Sequence, residues 1–192
     1  MVERILFYRR KGGIKGGNMK VLMIVAQKNF RDEELFHTKE ELEKAGHEVK
    51  VASLSTASAV GMLGAIVKPD LAVKDAKVDD FAAIVIVGGS GSPELAEHKE
   101  VLNLIKDAAE KGKILAAICL GPVVLAKAGI LEGKKATVWS SPAYTEPIKT
   151  LTQHGAKYSK ENIVESGKII TASGPQWARD FGKAIARKLS EA

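Results

Sequence analysis

Short apolar runs separated by segments of helical periodicity are the feature that most constrains the fold of this chain. Residues 20–26 (KVLMIVA), 81–87 (FAAIVIV) and 113–118 (KILAAI) are nearly uninterrupted apolar runs. Runs of this length predict strands that are buried on both faces. Between the first run and a further strand at 48–54, residues 32–44 have apolar side chains at helical spacing. Residues 20–54 therefore predict a βαβ unit, which requires a parallel sheet.

The same alternation continues to the end of the chain. It predicts a flavodoxin-like, doubly wound α/β sandwich of three layers with a mostly parallel sheet. We assign residues 19–192 to a single domain of this fold and expect its ligand site beyond the carboxyl ends of the strands. The further predicted elements are helices over 93–111, 121–128, 142–154 and 176–189, a strand over 135–139, and hairpins joining 65–67 to 71–73 and 162–164 to 169–171.

The net charge of +6 is concentrated near the N-terminus. Residues 1–20 contain six basic residues and one acidic residue, whereas the other 172 contain 23 basic and 22 acidic residues. We interpret residues 1–18 as a loose basic extension, with a short edge strand at 3–9 as the alternative and Met19 as a candidate native start. Because the body is nearly neutral and only 5% aromatic, we expect no nucleic-acid partner.

Targeting signals and cysteine usage restrict the compartment. The N-terminal segment has no apolar run long enough for a signal peptide or a membrane span, so we expect no membrane partner. The single cysteine, Cys119, excludes an internal disulfide, and a cytoplasmic location is expected. One cysteine and four scattered histidines also favour a protein without a metal site, and no cofactor is predicted.

Cys119 is the candidate catalytic residue. It lies between the predicted strand at 113–118 and the predicted helix at 121–128, with small residues before it and Gly121 two residues after it. This pattern is typical of a nucleophile elbow. The N–H groups at the helix start are expected to lower the thiol pKa and to make a thiolate available near neutral pH. The spacing is equally compatible with an inert buried cysteine.

Two further motifs are expected to meet Cys119. Gly88 and Gly89 follow the neighbouring strand, so the backbone N–H groups of Gly89 and Leu120 are candidates for an oxyanion hole, with a plain turn as the alternative. Among the acids at 32–34, Glu34 is the candidate partner of the thiol. Burial would raise its pKa, and the neutral carboxyl group could then donate a hydrogen bond to a thiolate. A role in capping the helix is the alternative for these acids.

The three motifs resemble those of the ThiJ/PfpI superfamily. This superfamily has a class I glutamine amidotransferase-like fold and includes a Parkinsonism-associated deglycase, glyoxalase III-type enzymes and archaeal intracellular proteases. The resemblance covers about residues 19–189. AAICLGP matches the elbow, the glycine pair matches the oxyanion loop, and DEEL places Glu34 on the site glutamate. Pro175, in the ASGP stretch, resembles a family segment near the site, and together with Gly88 and Trp139 is predicted to form the pocket.

The resemblance implies a cysteine-dependent hydrolase, or a glyoxalase or deglycase, acting on a small carbonyl or peptide substrate. It also implies a homodimer or a larger homo-oligomer. The alternative is a non-catalytic redox sensor or chaperone-like stress protein that uses the same thiolate. A third class, nucleic-acid binding by the basic N-terminal segment, rests on that segment's charge alone.

Three positions depart from the family pattern. Leu120 stands where the protease branch has a histidine, and Arg31 stands where that branch often has an acid. The deglycase-like branch has a histidine near the position of Trp139, where this chain has an indole instead. These departures weaken the protease interpretation, since leucine cannot act as a base, and they leave the glyoxalase interpretation open.

The four histidines are weak candidates for a catalytic base. His37 lies three residues after Glu34 and could line the cleft, although a solvated or core role is favoured for it. The other three are predicted to be surface residues: His47, His98 and His154.

Overall fold

The protein is described here by a computed structural model of residues 17–192. The predicted extension and the alternative strand at 3–9 lie almost wholly outside these residues, so both stay predictions. In chain order, the strands are β1 (Lys20–Ile24), β2 (Lys28–Phe30), β3 (Glu48–Ser53), β4 (Ala59–Gly61), β5 (Ile66–Val67), β6 (Leu71–Ala72), β7 (Ala83–Ile86), β8 (Ile114–Ile118), β9 (Lys135–Ala136), β10 (Lys157–Tyr158), β11 (Ile163–Ser166) and β12 (Ile169–Ala172). The helices are α1 (Asp32–Lys44), α2 (Lys99–Glu110), α3 (Gly121–Lys127), α4 (Glu146–Gln153) and α5 (Ala178–Ser190).

The central sheet has seven strands in the order β11-β12-β8-β7-β1-β3-β6. All its pairs are parallel except β11 with β12, which form the predicted hairpin at the sheet edge. If β1, β3, β7, β8 and β12 are numbered one to five, their order is 2-1-3-4-5, which is the flavodoxin-like order. The predicted fold class is therefore confirmed. The order reverses beside β1, so the residues after β1 and β7 meet at the carboxyl edge of the sheet.

The apolar runs of the sequence are explained by a sheet that is covered on both faces. Leu22 and Ile24 belong to a core cluster shared with α2, α3 and α4, whereas Val21 and Met23 belong to a second cluster shared with α1 and α5. Successive side chains of a strand point to opposite faces, so a strand between two helical layers must be apolar at every position. The three layers of the fold follow from this arrangement.

The hairpin predicted between residues 65–67 and 71–73 is wrong. Strand β5 pairs with β4 in a small sheet of order β2-β4-β5, whereas β6 pairs with β3 at the edge of the main sheet. The carboxylate of Asp70 accepts a hydrogen bond from the N–H of Val51 at 2.8 Å and holds the start of β6 against β3. Both segments are short and apolar, so local sequence does not identify the strand with which each one pairs.

Several predicted boundaries also need correction. The helix predicted over 93–111 is interrupted: a 3₁₀ helix covers Ser92–Glu97, His98 is extended, and α2 follows it. The strand predicted over 135–139 is reduced to β9, which pairs with β10 in a separate small sheet. The helix predicted over 142–154 begins only at Glu146, and α5 begins at Ala178, after a short 3₁₀ turn. His47, expected at the surface, is buried, and burial lowers its pKa.

Crossing a bilayer with a helix requires a long and continuous apolar segment. Within residues 17–192, none of the helices meets that requirement.

Candidate active site

Cys119 occupies the sharp turn between β8 and α3. Its φ of 60° lies in the left-handed region, where a non-glycine residue costs about 1 kcal/mol or more. Backbone hydrogen bonds hold this turn from two sides. The N–H of Cys119 donates to the carbonyl oxygen of Ala172 at 2.8 Å, and its own carbonyl oxygen accepts from the N–H of Trp139 at 2.9 Å. The strand–turn–helix geometry of a nucleophile elbow is thus present, while the catalytic role of the thiol stays a prediction.

Glycines allow the backbone to approach the elbow closely. A Cβ atom on Gly121 would lie 2.7 Å from the carbonyl oxygen of Ile86, on the neighbouring strand. A Cβ atom on Gly88 would lie 2.4 Å from Oε2 of Glu34 and 2.6 Å from Cβ of Cys119. Any larger residue at either position would push these groups apart. Gly88 therefore lies behind the thiol, between it and the carboxyl group, rather than on the cavity wall where it was predicted.

Glu34 lies on the first turn of α1 and is fully buried. Its Oε2 accepts a hydrogen bond from the N–H of Gly88 at 2.8 Å, while Oε1 is buried without a hydrogen-bond partner among the described residues. Burial raises the pKa of this carboxyl group to about 8, although the neighbouring Cys119 thiol and the Gly88 N–H act in the opposite direction. The carboxyl group is therefore mostly protonated at neutral pH, in agreement with the raised pKa predicted from the sequence.

The predicted net lowering of the thiol pKa is wrong, because burial outweighs the backbone N–H groups. Burial raises the pKa of the Cys119 thiol, and the nearby charge of Glu34 raises it further. The N–H groups of Gly89 and Leu120 oppose this effect, while their role as an oxyanion hole stays a prediction. Since the two acidic groups are in contact, they lose protons as a pair. The singly ionised pair is the state that offers a nucleophile, when its negative charge lies on sulfur and the proton on the carboxyl group.

A cavity of about 180 Å³ opens over the sulfur. The structure brings together five residues predicted at the site: Cys119, Gly89, Leu120, Trp139 and Pro175 all line this cavity.

Sequence reasoning missed three other wall residues. Arg31, Met62 and Ser90 complete the lining. Arg31 and Ser90 are neighbours of predicted site residues in the sequence, so proximity could have suggested them. Met62 comes from the loop after β4, which packs here only because β4 pairs with β2, and no local signal reveals that pairing.

No histidine lines this cavity among the residues that the structure describes. His37 contributes instead to a neighbouring cavity, which also contains Arg31 and Pro175. A search of residues 17–192 for groups of three or more histidine, cysteine or acidic side chains able to hold a metal ion found none. The arrangement therefore offers a thiol, a buried carboxyl group and two backbone N–H donors for chemistry.

The chain is similar in sequence to proteins that have been described before. The sequence model of the DJ-1/PfpI family matches residues 19–188. The uncharacterized protein MJ0967 of Methanocaldococcus jannaschii is 45% identical over 175 residues, which cover 91% of this chain and 84% of that protein. Deglycase TK1284 of Thermococcus kodakarensis is 32% identical, with coverage of 87% of this chain and 99% of the relative. The glutathione-independent glyoxalase DJR-1.2 of Caenorhabditis elegans is 34% identical, with coverage of 88% and 87%.

Solved structures agree with the sequence comparison. The crystal structure of a ThiJ/PfpI domain protein from Brachyspira murdochii superimposes with a TM-score of 0.86 at 33% identity, covering 92% of this chain and 99% of that one. The family match, the relatives and the shared fold confirm the resemblance that the elbow, the glycine pair and the DEEL motif indicated. The chain belongs to the DJ-1/PfpI family.

Proposed function

We propose that this protein is a cytosolic, cysteine-dependent enzyme of the glyoxalase or deglycase type that acts on small carbonyl compounds. The observation that carries the proposal is the proximity of the Cys119 thiol to the buried Glu34, whose Oε1 has no hydrogen-bond partner among the described residues. Burying a carboxyl group with one oxygen unsatisfied is costly, and such a cost is typical of functional sites. The relatives named deglycase and glyoxalase support the same class of reaction.

The size of the cavity favours small substrates over peptides. Its 180 Å³ corresponds to about six water molecules, each of which takes about 30 Å³ of liquid volume. A 2-oxoaldehyde such as methylglyoxal fits that space. Leu120 adds to this argument, because no base follows the cysteine as it does in the protease branch.

The proposed reaction begins with attack of the Cys119 sulfur on the aldehyde carbon of methylglyoxal. The carbon–sulfur bond forms, the carbonyl electron pair moves to oxygen, and the N–H groups of Gly89 and Leu120 stabilise that oxygen until it takes a proton. Glu34 then moves the proton of the former aldehyde carbon to the neighbouring carbon, which gives a thioester of the 2-hydroxy acid. One water molecule hydrolyses the thioester, releases lactate and returns the thiol.

The test compares purified protein with its Cys119→Ala and Cys119→Ser variants in a methylglyoxal assay that measures lactate. We expect both variants to lose at least about 1000-fold in turnover, because the attacking sulfur is absent. Met62→Leu is the matched control, since it changes the wall and leaves the thiol in place. Equal turnover by Cys119→Ala and the unmodified protein would contradict the proposal. Peptide substrates run in parallel test the protease alternative.

The sensor alternative uses the same sulfur and predicts a different result. In that case, mild peroxide adds oxygen to Cys119 before any methionine, and methylglyoxal is not turned over. Mass spectrometry of the peptide containing Cys119 distinguishes the two. Oxidation without turnover would favour the sensor over the enzyme.

We also propose that the protein forms a homodimer or a larger homo-oligomer. Met62, Leu63 and Ile66, in the loop around β5, expose 42%, 62% and 73% of their surface. An exposed apolar cluster of this kind is typical of a contact surface. We expect sedimentation velocity to give at least twice the 20.5 kDa chain mass and Ile66→Glu to give the monomer. A monomer in the unmodified protein would contradict the proposal.

A further inference from the structure

Arg31 is a charged residue in the wall of the cavity above Cys119, and the proposed reaction does not use it. It directly precedes α1, and its backbone N–H donates to the carbonyl oxygen of Gly88 at 2.9 Å. That bond fixes Arg31 to the same glycine that contacts Glu34. The Arg31 side chain is 29% exposed, so it borders the cavity without being withdrawn from solvent. A substrate bound at the thiol therefore shares its cavity with this cation.

The charge of the cavity wall is positive. Among the described residues that line it, Arg31 is the one that carries a permanent charge. Glu34 is fully buried behind the thiol and does not belong to the wall. An anionic group on a substrate would therefore meet a cation here, with no acidic side chain in the wall to oppose it.

Glu33 orients the guanidinium. Nε of Arg31 donates to Oε2 of Glu33 at 2.8 Å, and Nη2 donates to Oε1 at 3.0 Å. An arginine has five N–H groups in one plane, so this bidentate pair uses two and leaves three for another partner. Glu33 lines the neighbouring cavity of about 620 Å³ rather than the one above the sulfur, so the carboxylate contacts Arg31 from outside.

The other cations nearby are paired with acids, as Arg31 is, but they lie farther from the thiol. Arg179 donates to Glu41 at 2.7 Å and to Glu40 at 2.9 Å, and Lys183 lies 3.5 Å from Asp180. Arg179 and Lys183 line only the outer of the two cavities, whereas Arg31 lines both. Arg31 is thus placed at the boundary between the outer cavity and the thiol.

Resting on the proposed function, we propose that Arg31 is a substrate-binding residue that selects 2-oxoaldehydes carrying a carboxylate at the end away from the aldehyde. The aldehyde carbon would lie at the Cys119 sulfur, and the carboxylate would extend toward the outer cavity and accept hydrogen bonds from the free N–H groups of Arg31. The planar guanidinium matches a planar carboxylate better than a point charge does.

The first test measures anion preference without any turnover. Cys119 is the only cysteine of the chain, so alkylation reports on this one sulfur. Iodoacetate and iodoacetamide have nearly the same shape and differ in charge. The ratio of their alkylation rates, divided by the same ratio for free glutathione, measures how strongly the cavity favours an anion. We expect Arg31→Gln to lower this ratio by about five- to tenfold, the effect of removing one charge-assisted hydrogen bond.

Two variants sharpen this measurement, and a third controls it. Arg31→Lys should recover part of the ratio, because it restores the charge without the planar group. Glu33→Gln should raise the ratio above that of the unmodified protein, because it removes the anion that competes for Arg31. Lys183→Gln, a cation of the outer cavity, should leave it unchanged. An unchanged ratio in Arg31→Gln, or an equal fall in Lys183→Gln, would overturn the proposal.

The second test uses turnover. We expect kcat/KM for 4,5-dioxopentanoate to exceed that for its uncharged amide, and Arg31→Gln to remove the difference. If methylglyoxal is turned over through Cys119 but this preference is absent, the assignment of Arg31 is wrong and the proposed function stands. If the alkylation ratios change as expected but no dicarbonyl is turned over, Arg31 binds anions and the proposed function is wrong.

Discussion

Asp32 and Glu34 are two buried acids on the first turn of α1, and their surroundings differ. Both oxygens of Asp32 accept backbone hydrogen bonds, Oδ2 from Leu63 at 2.9 Å and Oδ1 from Ala65 at 2.8 Å. Asp32 therefore closes the loop between β4 and β5. Glu34 has a hydrogen bond to one oxygen only, and its other oxygen is buried without a partner among the described residues.

The comparison shows that burial alone does not mark a functional acid. Each carboxyl group packs against a glycine in the same way. A Cβ atom on Gly61 would lie 2.4 Å from Asp32, and one on Gly88 would lie 2.4 Å from Glu34. What distinguishes the two acids is the unsatisfied oxygen of Glu34, which leaves that group free to change its protonation state during a reaction.

The largest expected difference is in activity. Glu34→Gln should lower Cys119-dependent turnover of methylglyoxal about 100-fold or more, because the amide cannot take up or return a proton. Asp32→Asn should lower it by less than about tenfold, since that side chain contacts the loop and not the thiol. Initial rates at saturating substrate measure both effects. Equal losses in the two variants would mean that the acids do not divide their roles in this way.

The pH dependence of stability comes next. The pKa of Glu34 is about 8 in the folded protein and about 4.5 when unfolded, so the folded state holds an extra proton between these values. The stability that this proton provides is fully present below about pH 4.5 and is lost as pH rises through 8. Relative to Glu34→Gln, the free energy of unfolding should fall by roughly 1 kcal/mol per pH unit between pH 5 and 8. Urea titrations at several pH values measure it, and parallel profiles would contradict the raised pKa.

Substitution of the glycine that packs against each acid is expected to have a smaller effect, and the two substitutions can be compared directly. Gly61→Ala should cost about 1–3 kcal/mol in the free energy of unfolding, because the added methyl group displaces the Asp32 carboxylate from its loop. Gly88→Ala should instead raise the rate of Cys119 alkylation, because it separates from the thiol the carboxyl group that raises the thiol pKa. Thermal unfolding and alkylation, measured on both variants, separate the two roles. A Gly61→Ala protein that keeps its stability but changes its thiol reactivity would reverse the comparison.

The smallest expected effect is that of Asp32→Asn on stability. The amide keeps one acceptor oxygen and loses the other, so one backbone N–H of the loop loses its partner. This should cost about 1 kcal/mol. Urea unfolding at neutral pH measures it. A loss as large as that of Gly61→Ala would show that the charge of Asp32, and not only its geometry, holds the loop.

The main sheet could be predicted from the sequence because the residues that indicate each strand and helix are adjacent in the chain. Each parallel strand is an apolar run buried on both faces, and helical periodicity fills the intervals between runs. The elbow at Cys119 could be predicted for the same reason, since small residues, a strand and a helix start are adjacent in the chain. Glu34 could be predicted because it lies in the first turn of α1, which brings its side chain toward the carboxyl end of the sheet.

The wrong predictions depend on contacts between residues that are distant in the sequence. The wrong hairpin at 65–73 arose because two short apolar strands can pair in several ways, and only the tertiary fold selects the partners of β5 and β6. The wrong direction for the Cys119 pKa arose because a helix start is visible in sequence, whereas burial and the contact with Glu34 are not. Met62 was missed because its place in the cavity depends on the small sheet.

The hydrogen bond from Cys119 to Ala172 also affects biosynthesis. The N–H at the elbow donates to a carbonyl that lies 53 positions later in the chain, near its C-terminal end. During translation, the cysteine leaves the ribosome well before β12, which holds its backbone in the strained conformation. The nascent chain therefore carries an ordinary thiol, and the finished site assembles only when the last strand joins the sheet. Ribosome-bound chains ending before residue 172 would show that ordinary thiol reactivity.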